Sequence, residues 1–433
     1  MVFSLFILFV PVIHLSANQS HDGWSPKILR QEISPHFSVK ESGGPDGLGS
    51  LIITQDGEGE NGAWVKTFPV TGGKTYTLSV FRQTRNVSYI RRNTYAELMF
   101  TDEEGELVLD DRTGIKSRPF YPPDREINEN NWTRMSDTYR APLNAIYAKV
   151  ELRLRWSPGG EVEYDKISFD ETESVKPRNV RLAAVHYYPS NGSSPMDNCR
   201  QFAPLIAEAA GQRADLIVLG ECVTIIGNKY NFESAAEPVP GPSTAYFGEL
   251  AKKHNLYIVV GLYEREGPFI YNTAALIDPQ GGLAGKYRKV CPARDELRAG
   301  VMSGSTYPVF ETSFGKLGIM ICFDVFVPEV ARNIAANGAE IIALPIWGGD
   351  PALARARAIE NQIILVTSSY SKQKQWMKTG VWDREGNLVA TTEKNGTVCI
   401  HEVDLNHRHI RPYNLGDMRN RIPRERPINP IEK

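Results

Sequence analysis

The pattern of apolar and polar positions divides the chain near residue 175. From about residue 49 to residue 169, apolar and polar residues tend to alternate, and no convincing amphipathic helix occurs. In 148–156 the apolar residues, Trp156 included, lie on one face and the charged residues on the other. A period of two predicts a half-buried antiparallel strand, so we expect a β-sandwich. Strands are predicted at 63–66, 76–81, 96–100, 148–156 and 162–169, with a turn at 157–160.

From residue 179 onward, short apolar strands alternate with amphipathic helices. In 195–211, Phe202, Leu205, Ile206 and Ala209 follow the i, i+3, i+4, i+7 spacing of one helix face. This alternation predicts an α/β domain with helices packed on sheets. Strands are predicted at 180–186, 216–219, 256–262, 317–322, 341–345 and 363–368, and helices at 195–211, 243–254, 328–337 and 352–361.

The length of 433 residues exceeds that of one usual domain, which agrees with this division. We predict a β-sandwich domain at 25–172 and an α/β domain at 179–425. The polar segment 171–178 is their only apparent connection. A hydrophobic content of 41% is sufficient for two cores, and a net charge of -2 gives no sign of a nucleic-acid partner.

Residues 1–13 are largely apolar and carry no charged side chain, and the small residues Ser16 and Ala17 then precede a polar stretch at 18–20. This order is typical of a secretory signal peptide, predicted at 1–20. The expected location is therefore secreted or periplasmic. A buried strand or an N-terminal membrane anchor is the alternative. No later segment of the sequence is long and apolar enough to span a bilayer.

Three polar residues stand at the ends of apolar runs or after a turn: Glu221, Lys289 and Cys322. A thiolate attacks carbon, and a nearby carboxylate can take the thiol proton and later give it to a leaving amine. A nearby ammonium group stabilises the oxyanion that the attack creates. The backbone N–H of Phe323 is a second oxyanion donor if Cys322 lies on a sharp turn from strand to helix. This chemistry needs neither a metal ion nor an organic cofactor.

Each of these residues alone has an ordinary explanation. A single buried cysteine is more often a small core residue, and a glutamate or lysine at a strand end is usually solvated or ion-paired. The sequence has four further cysteines, and the odd total leaves at least one thiol unpaired. The count fits one nucleophilic thiol with up to two disulfides. It fits five reduced thiols equally well. The further cysteines are Cys199, Cys222, Cys291 and Cys399.

The contexts of the three residues resemble the signature blocks of the nitrilase superfamily of carbon–nitrogen hydrolases. The resemblance implies an α-β-β-α sandwich, usually paired into a homodimer or a higher homo-oligomer. It also implies that Glu221 is the base, Lys289 the electrostatic stabiliser and Cys322 the nucleophile. Order and spacing match over about residues 179–425. The blocks are Asp215-Leu-Ile-Val-Leu-Gly-Glu221, Lys286-Tyr-Arg-Lys289 and Gly318-Ile-Met-Ile-Cys-Phe-Asp324.

The resemblance extends to supporting residues. A second family glutamate, which orients the lysine region and the substrate, corresponds to Glu296. Trp347 follows the predicted strand 341–345 and is expected to face the pocket. Asp350 either binds a cationic group of the substrate or caps the helix that follows, and capping is the favoured role.

The sequence also departs from the family pattern. Gly220 stands where the family often has proline, and Cys291 where it often has histidine. Cys222 and Cys291 either flank the pocket or are unrelated thiols. Nitrile-hydrolysing members tend to follow the nucleophile with Trp-Glu, whereas this chain has Phe323-Asp324, closer to amidases and carbamoyl hydrolases. The predicted substrate is therefore a linear amide or an N-carbamoyl compound.

The N-terminal sandwich weakly resembles jelly-roll-like carbohydrate-binding modules, through Trp132, Tyr164 and the stretch 141–169. Exposed aromatic rings can stack on sugars, so a glycan contact is one expectation and a structural or dimer-covering role is the other. The predicted function is hydrolysis of a C–N bond through a thioester acyl-enzyme. The alternatives are an acyltransferase with the same intermediate and a non-catalytic glycan-binding or adhesion protein.

Overall fold

The chain divides into two compact units in a computed structural model that describes residues 12–15, 21–42, 44–127, 130–370, 375–411 and 416–426. The first unit is Met1–Lys176 with Arg408–Lys433, and the second is Pro177–His407. The predicted signal peptide, 1–20, lies outside the described residues except for the backbone of Val12–Leu15. Among the helices of the described ranges, none is long and apolar enough to cross a membrane.

The first unit consists of antiparallel strands in two sheets. One sheet has the strand order β1-β3-β4-β11-β6-β9-β8 and the other β2-β5-β10-β7. The strands are β1 (Val12–Leu15), β2 (Ser25–Ile28), β3 (His36–Lys40), β4 (Ser50–Thr54), β5 (Asn61–Pro69), β6 (Thr75–Arg85), β7 (Thr94–Thr101), β8 (Asp124–Ile127), β9 (Thr133–Arg140), β10 (Tyr147–Arg155) and β11 (Glu161–Thr172). A 3₁₀ turn, Gln31–Ile33, and a short helix, α1 (Ile90–Asn93), connect them.

One hydrophobic core fills the space between these sheets. Its members come from alternate positions of the strands, as the period of two predicted, and include Trp64, Leu78, Phe100 and Val150, all fully buried. Each such side chain contributes roughly 1.5–3 kcal/mol when it leaves water. The β-rich unit is therefore confirmed as two packed antiparallel sheets, while its jelly-roll connectivity stays a prediction.

Strand β10 differs from its prediction in two ways. It ends at Arg155, and Trp156 has a φ of 55°, so this ring is exposed instead of continuing the apolar face. The charged face is also buried: Glu151 is 1% exposed and pairs with Lys27 at 2.6 Å and with Arg153. The prediction that Trp156 lies on the apolar face was wrong, because a left-handed φ at this residue ends the alternation of the strand.

The aromatic residues behind the carbohydrate-module resemblance are part of the protein interior. Trp132 and Tyr164 are both buried, and the Tyr164 hydroxyl donates to the backbone oxygen of Arg153 at 2.6 Å. Rings in these positions cannot stack on a sugar. A glycan contact stays a prediction without support from these two residues.

The second unit alternates strands and helices. The predicted helix 195–211 is two helices, because Pro204 has no N–H to continue the hydrogen-bond ladder across Phe202. The strands are β12 (Asn179–His186), β13 (Leu216–Val218), β14 (Tyr257–Glu266), β15 (Phe269–Ile277), β16 (Leu283–Arg288), β17 (Val301–Met302), β18 (Val309–Glu311), β19 (Lys316–Ile319), β20 (Ile341–Pro345), β21 (Ile364–Ser368), β22 (Thr379–Trp382), β23 (Leu388–Thr392) and β24 (Thr397–Asp404). The helices are α2 (Pro195–Gln201), α3 (Ala203–Gly211), α4 (Pro242–His254), α5 (Arg294–Arg298), α6 (Pro328–Ala336) and α7 (Pro351–Asn361), with a 3₁₀ turn at Cys322–Phe326.

These elements form four layers. One sheet has the order β16-β15-β14-β13-β12-β24, with β17 beside β15, and the other has the order β18-β19-β20-β21-β22-β23. Apolar side chains from both sheets, such as Val259 and Ile319, share one core. Phe202 and Phe247 cover the outer face of the first sheet, and Ile334 packs on the second. The α-β-β-α arrangement is therefore confirmed.

The C-terminal segment, residues 408–426, returns to the first unit. It contains β25 (Ile410–Arg411), β26 (Gly416–Asp417) and α8 (Met418–Glu425). Arg408 pairs with Asp137 at 2.7 Å, and the guanidinium of Arg424 lies 3.7 Å from the ring of Tyr121 and 4.2 Å from that of Tyr95. The structure thus groups 408–426 with the first unit, whereas the predicted α/β domain extends to 425, and 171–178 is one of two chain connections between the units.

The isolated sandwich, residues 21–176, should be less stable without the C-terminal segment. Its removal leaves Asp137 without the Arg408 ion pair and uncovers the rings of Tyr95 and Tyr121. We expect a synthetic 408–426 peptide to raise the melting temperature of 21–176 by at least about 5 °C, since a ligand of the folded state stabilises it. A peptide with Arg408→Ala and Arg424→Ala is the control. Equal melting temperatures with both peptides would contradict the expectation.

Candidate active site

Each predicted reactive residue lies just beyond a strand of the second unit. Glu221 follows β13, Lys289 follows β16 directly, and Cys322 opens the 3₁₀ turn after β19. The predicted strand 317–322 ends early, at Ile319, and Cys322 has a φ of 46°. A left-handed φ is uncommon for a residue with a side chain and marks a sharp turn. The sharp turn on which the predicted oxyanion role of the Phe323 N–H depends is therefore present.

Lys289 lies between two carboxylates. Its Nζ is 3.0 Å from Glu221 Oε1 and 2.7 Å from Glu296 Oε2, and all three side chains are buried. Burial alone would lower the pKa of Lys289, but Glu221, Cys322 and Glu296 together raise this pKa well above its ordinary value. Lys289 is therefore a cation at any pH near neutrality.

Glu296 is held as a carboxylate. Burial would raise its pKa, but the charge of Lys289 and hydrogen bonds from Lys289, Ala293 and Asn272 lower it below its ordinary value. The Ala293 N–H donates to Glu296 Oε2 at 2.6 Å, at the start of α5, and the Tyr263 hydroxyl donates to Glu296 Oε1 at 3.1 Å. Glu296 is thus a fixed counter-ion of the lysine.

Residue Cys322 is partly exposed, and its thiol lies beside the carboxylate of Glu221. Removal from water raises the pKa of Cys322, and the carboxylate of Glu221 raises it further, while the charge of Lys289 and the N–H of Trp347 act in the opposite direction. The thiol therefore keeps its proton at neutral pH. The Glu221 carboxylate beside the thiol is the group placed to accept that proton, as a general base must be.

Two aromatic residues fix the position of Glu221. The N–H of Trp347 donates to Glu221 Oε2 at 3.0 Å, and the Tyr370 hydroxyl donates to the backbone oxygen of Glu221 at 2.6 Å. A Cβ at Gly220 would lie 2.7 Å from the Tyr370 ring, and one at Gly261 would lie 2.9 Å from the Glu221 Cα. Glycine at both positions allows this close packing.

Asp324 joins the segments that carry Cys322 and Lys289. Its carboxylate accepts hydrogen bonds from the N–H of Ile321 at 2.8 Å, the N–H of Cys291 at 2.9 Å and the Tyr287 hydroxyl at 2.8 Å. Burial raises the pKa of Asp324 to about 6, although these three donors favour the ionised form. The carboxylate connects the elbow to the chain just past the lysine.

Asp324→Asn should lower kcat by about 10-fold or more. The amide turns N–H groups toward donors, so at least one of the three hydrogen bonds is lost, and each bond to a charged group contributes roughly 1.5–3 kcal/mol. Steady-state kinetics, with thermal melting to establish folding, measure the effect. Asp350→Asn is the matched control and should stay within about two-fold, since asparagine is an equally good helix cap. An unchanged kcat in folded Asp324→Asn contradicts the positioning role.

Exposed aromatic rings surround the elbow. Phe323 and Phe326 stack with their centroids 5.2 Å apart, and Trp347 packs edge-on against Tyr370 at 5.6 Å. Phe323, Phe326 and Trp347 are each more than 40% exposed. Large apolar side chains that stay in water beside a buried charged cluster form a surface suited to an apolar part of a ligand.

All five cysteines lie in the described ranges, and none forms a disulfide. Cys222 is buried beside Glu221, with its sulfur 3.9 Å from the side-chain nitrogen of Asn272. Burial raises the pKa of Cys291 to about 11, and the neighbouring Asp324 adds to this effect. Both thiols therefore contact groups that hold the charged cluster. Among the described residues, no group of three His, Cys, Asp or Glu side chains is placed to hold a metal ion.

A known family accounts for most of the second unit. The family model described as carbon–nitrogen hydrolase matches residues 181–409, which is more than half of the chain. The chain belongs to the carbon–nitrogen hydrolase family. The resemblance of the three sequence blocks to the nitrilase superfamily is thereby confirmed, and so is the prediction that the protein is a hydrolytic enzyme.

Several carbon–nitrogen hydrolases align with this chain over most of their own length. The omega-amidase NIT2 of Danio rerio is 30% identical over 264 residues, covering 56% of this chain and 92% of the relative. A nitrilase of Pyrococcus abyssi is 36% identical over 209 residues, covering 46% of this chain and 78% of the relative. The crystal structure of Saccharomyces cerevisiae Nit3 shows 25% identity, covers 53% of this chain and 93% of its own, and gives a TM-score of 0.47.

The structure explains one of the two departures of this carbon–nitrogen hydrolase from the family pattern. Gly220, in place of proline, leaves room for the Tyr370 ring, which in turn binds the Glu221 backbone. Cys291, in place of histidine, binds Asp324 through its backbone N–H, a contact that does not depend on the cysteine side chain. Asp350 caps α7 by accepting a hydrogen bond from Ala352 N at 2.8 Å, in agreement with the favoured prediction.

Sequence reasoning missed the residues that support the charged cluster. Asn272 and Tyr263 lie on β15 and β14 and donate to Glu296, and Tyr370 lies just beyond β21. The strand that contains Asn272 was not predicted at all. A polar residue in the otherwise apolar stretch Phe269–Ile277 was the available signal.

Proposed function

We propose that this enzyme hydrolyses the C–N bond of a linear amide or an N-carbamoyl compound, with Cys322 as nucleophile, Glu221 as base and Lys289 as electrostatic stabiliser. The observation that supports this most directly is the position of the Glu221 carboxylate. It lies beside the Cys322 thiol, whose pKa it raises, and 3.0 Å from Lys289 Nζ. One carboxylate can therefore take the thiol proton beside a fixed positive charge.

In the first half of the proposed reaction, Glu221 accepts the proton of Cys322 as the sulfur attacks the carbonyl carbon of the amide. Charge develops on the carbonyl oxygen, where the ammonium of Lys289 and the N–H of Phe323 stabilise it. Glu221 then gives its proton to the nitrogen of the amide, and the C–N bond breaks. Ammonia or an amine leaves, and the acyl group stays on Cys322 as a thioester.

In the second half, water replaces the amine. Glu221, again ionised, takes a proton from the water, and the hydroxide attacks the thioester carbon. The C–S bond breaks, the acid leaves, and the thiol recovers its proton from Glu221. Glu296 does not exchange protons in this scheme. It holds the ammonium of Lys289 at 2.7 Å, so the cation does not follow the changing charge of Glu221.

The preference for amides over nitriles rests on the residues after the nucleophile. Phe323 and Asp324 follow Cys322, as in the amidase and carbamoyl-hydrolase branches that the sequence resembles. The name omega-amidase, carried by the Danio rerio relative, agrees with an amide substrate. The exposed rings of Phe323, Phe326 and Trp347 favour a substrate with an apolar part beside the reacting carbonyl.

Ammonia release from panels of amides, N-carbamoyl amines and nitriles tests the proposal. We expect turnover of amides or carbamoyl compounds well above that of nitriles of the same carbon skeleton. Adding hydroxylamine should divert the acyl-enzyme to a hydroxamate without changing the rate of ammonia release, if acylation is rate-limiting. No release from any amide or carbamoyl compound would reject the proposal. A product that forms only when an amine acceptor is present would identify an acyltransferase instead.

A further inference from the structure

Asn272 contacts every charged residue of the site. Its side-chain nitrogen lies 2.8 Å from Glu221 Oε1 and 2.6 Å from Glu296 Oε1. Its backbone oxygen accepts a hydrogen bond from the N–H of Lys289 at 2.8 Å. The side chain is fully buried in strand β15, opposite Tyr263 of β14, which donates to the same oxygen of Glu296.

The orientation of the Asn272 amide follows from the charges around it. An amide oxygen turned toward two carboxylates would be repelled by both, so the NH₂ group must face them, and its two hydrogens suffice for one bond to each. Glu221 and Glu296 carry two negative charges against the single positive charge of Lys289. Hydrogen bonds to ionised groups are the stronger ones, and a neutral donor stabilises both carboxylates without adding a charge.

We propose that Asn272 is a positioning residue that holds the carboxylates of Glu221 and Glu296 turned toward Lys289. The inference rests on the proposed function, in which Glu221 must be a carboxylate before the thiol can react. An N–H bonded to a carboxylate favours its ionised form, so loss of the bond favours protonation. Without Asn272, the carboxylates should be free to turn from the lysine, and the acid side of the pH–rate profile should move to higher pH.

The other groups near Glu221 do not change when Asn272 is replaced. They come from different elements and are present in both the wild type and the Asn272 variants. A difference between the two pH profiles therefore reports on Asn272. These groups are Lys289, Glu296, Cys322, Cys222, Tyr263 and Tyr370.

Asn272→Leu keeps the approximate size of the side chain and removes both donors. Asn198→Leu is the matched control, because Asn198 is also fully buried and its side-chain nitrogen also donates twice, to the backbone oxygens of Val223 and Ile226. We expect Asn272→Leu to lower kcat/KM by about 10- to 100-fold, the loss of hydrogen bonds to charged groups. The acid-side midpoint of its kcat/KM profile should lie at least about half a pH unit above that of Asn198→Leu.

The rate of Cys322 alkylation by iodoacetamide provides a reading that needs no substrate. Peptide mass spectrometry separates Cys322 from the four other thiols, and the same upward shift of the acid-side midpoint is expected in Asn272→Leu. Asn272→Ser, which keeps one donor, should lie between the wild type and Asn272→Leu, and it also serves if the leucine variant does not fold. Equal midpoints in the Asn272 variants and the control, whatever the loss in rate, overturn the inference. A midpoint shift in alkylation without any amide turnover by the wild type would instead reject the proposed function alone.

Discussion

Cys322→Ala should abolish turnover while leaving the melting temperature nearly unchanged. Without the sulfur no thioester can form, and removal of a covalent nucleophile typically costs at least about 1,000-fold in kcat. Cys322→Ser should be nearly as inactive, because a hydroxyl gives up its proton far less readily than a thiol. Ammonia release over long incubations measures the residual rate. Intact-protein mass spectrometry of the wild type with substrate should show an acyl adduct on Cys322.

Cys399→Ala is the control for this experiment. Cys399 lies on the strand β24 and is buried. Its sulfur is 3.8 Å from the backbone oxygen of Ala184. Its replacement should cost some stability and leave kcat within a few-fold of the wild type. Substantial activity in Cys322→Ala would remove the basis for the proposed mechanism, because the other thiol near Glu221 and Lys289, that of Cys222, is buried.

Lys289→Arg should lower kcat by about 100-fold or more, comparable to the loss of one oxyanion donor. The charge is kept, but the guanidinium is longer, planar and spreads its charge over three nitrogens. The ammonium lies 3.0 Å and 2.7 Å from two buried carboxylates, a space that a larger group cannot enter without moving Glu221 or Glu296. KM should change less than kcat, since the lysine acts on charge that develops during the reaction.

Lys286→Arg is a stringent comparison because Lys286 is three positions away and also binds a buried glutamate, Glu264, at 2.5 Å. It lies on the strand β16, away from the reactive groups, and a few-fold change in kcat at most is expected. If Lys289→Arg behaved like Lys286→Arg, the lysine of the site would be a structural counter-ion and the oxyanion would need another stabiliser.

The reactive residues could be found from the sequence because each stands in a short, continuous block. Glu221, Lys289 and Cys322 end or follow recognisable apolar runs, and the glutamate at 296 follows the lysine closely. The residues that hold them could not be found this way. Asn272 meets Glu221 across 51 positions of sequence, and Tyr370 meets it across 149, so only the folded sheets bring them together.

Two further differences have causes that the pattern of hydrophobic positions does not record. Trp156 continues a period of two perfectly, yet its backbone adopts a left-handed φ that turns the ring outward. The C-terminal segment was assigned to the α/β domain, because the family resemblance extends to about residue 425. Its contacts depend on aromatic and acidic partners far earlier in the chain, such as Tyr121 and Asp137.

The catalytic unit is inserted into the sequence of the sandwich domain, because the chain returns to the sandwich after His407. Its first and last strands are direct neighbours, with Asn179 opposite Asp404 in an antiparallel pair. These two residues, each within three positions of an end of the unit, are therefore about 5 Å apart. Domains with adjacent ends can be gained, lost or exchanged as one cassette without cutting through either core. A different catalytic cassette could occupy the same place in the sandwich, or this one could be transplanted into another host, with two short junctions.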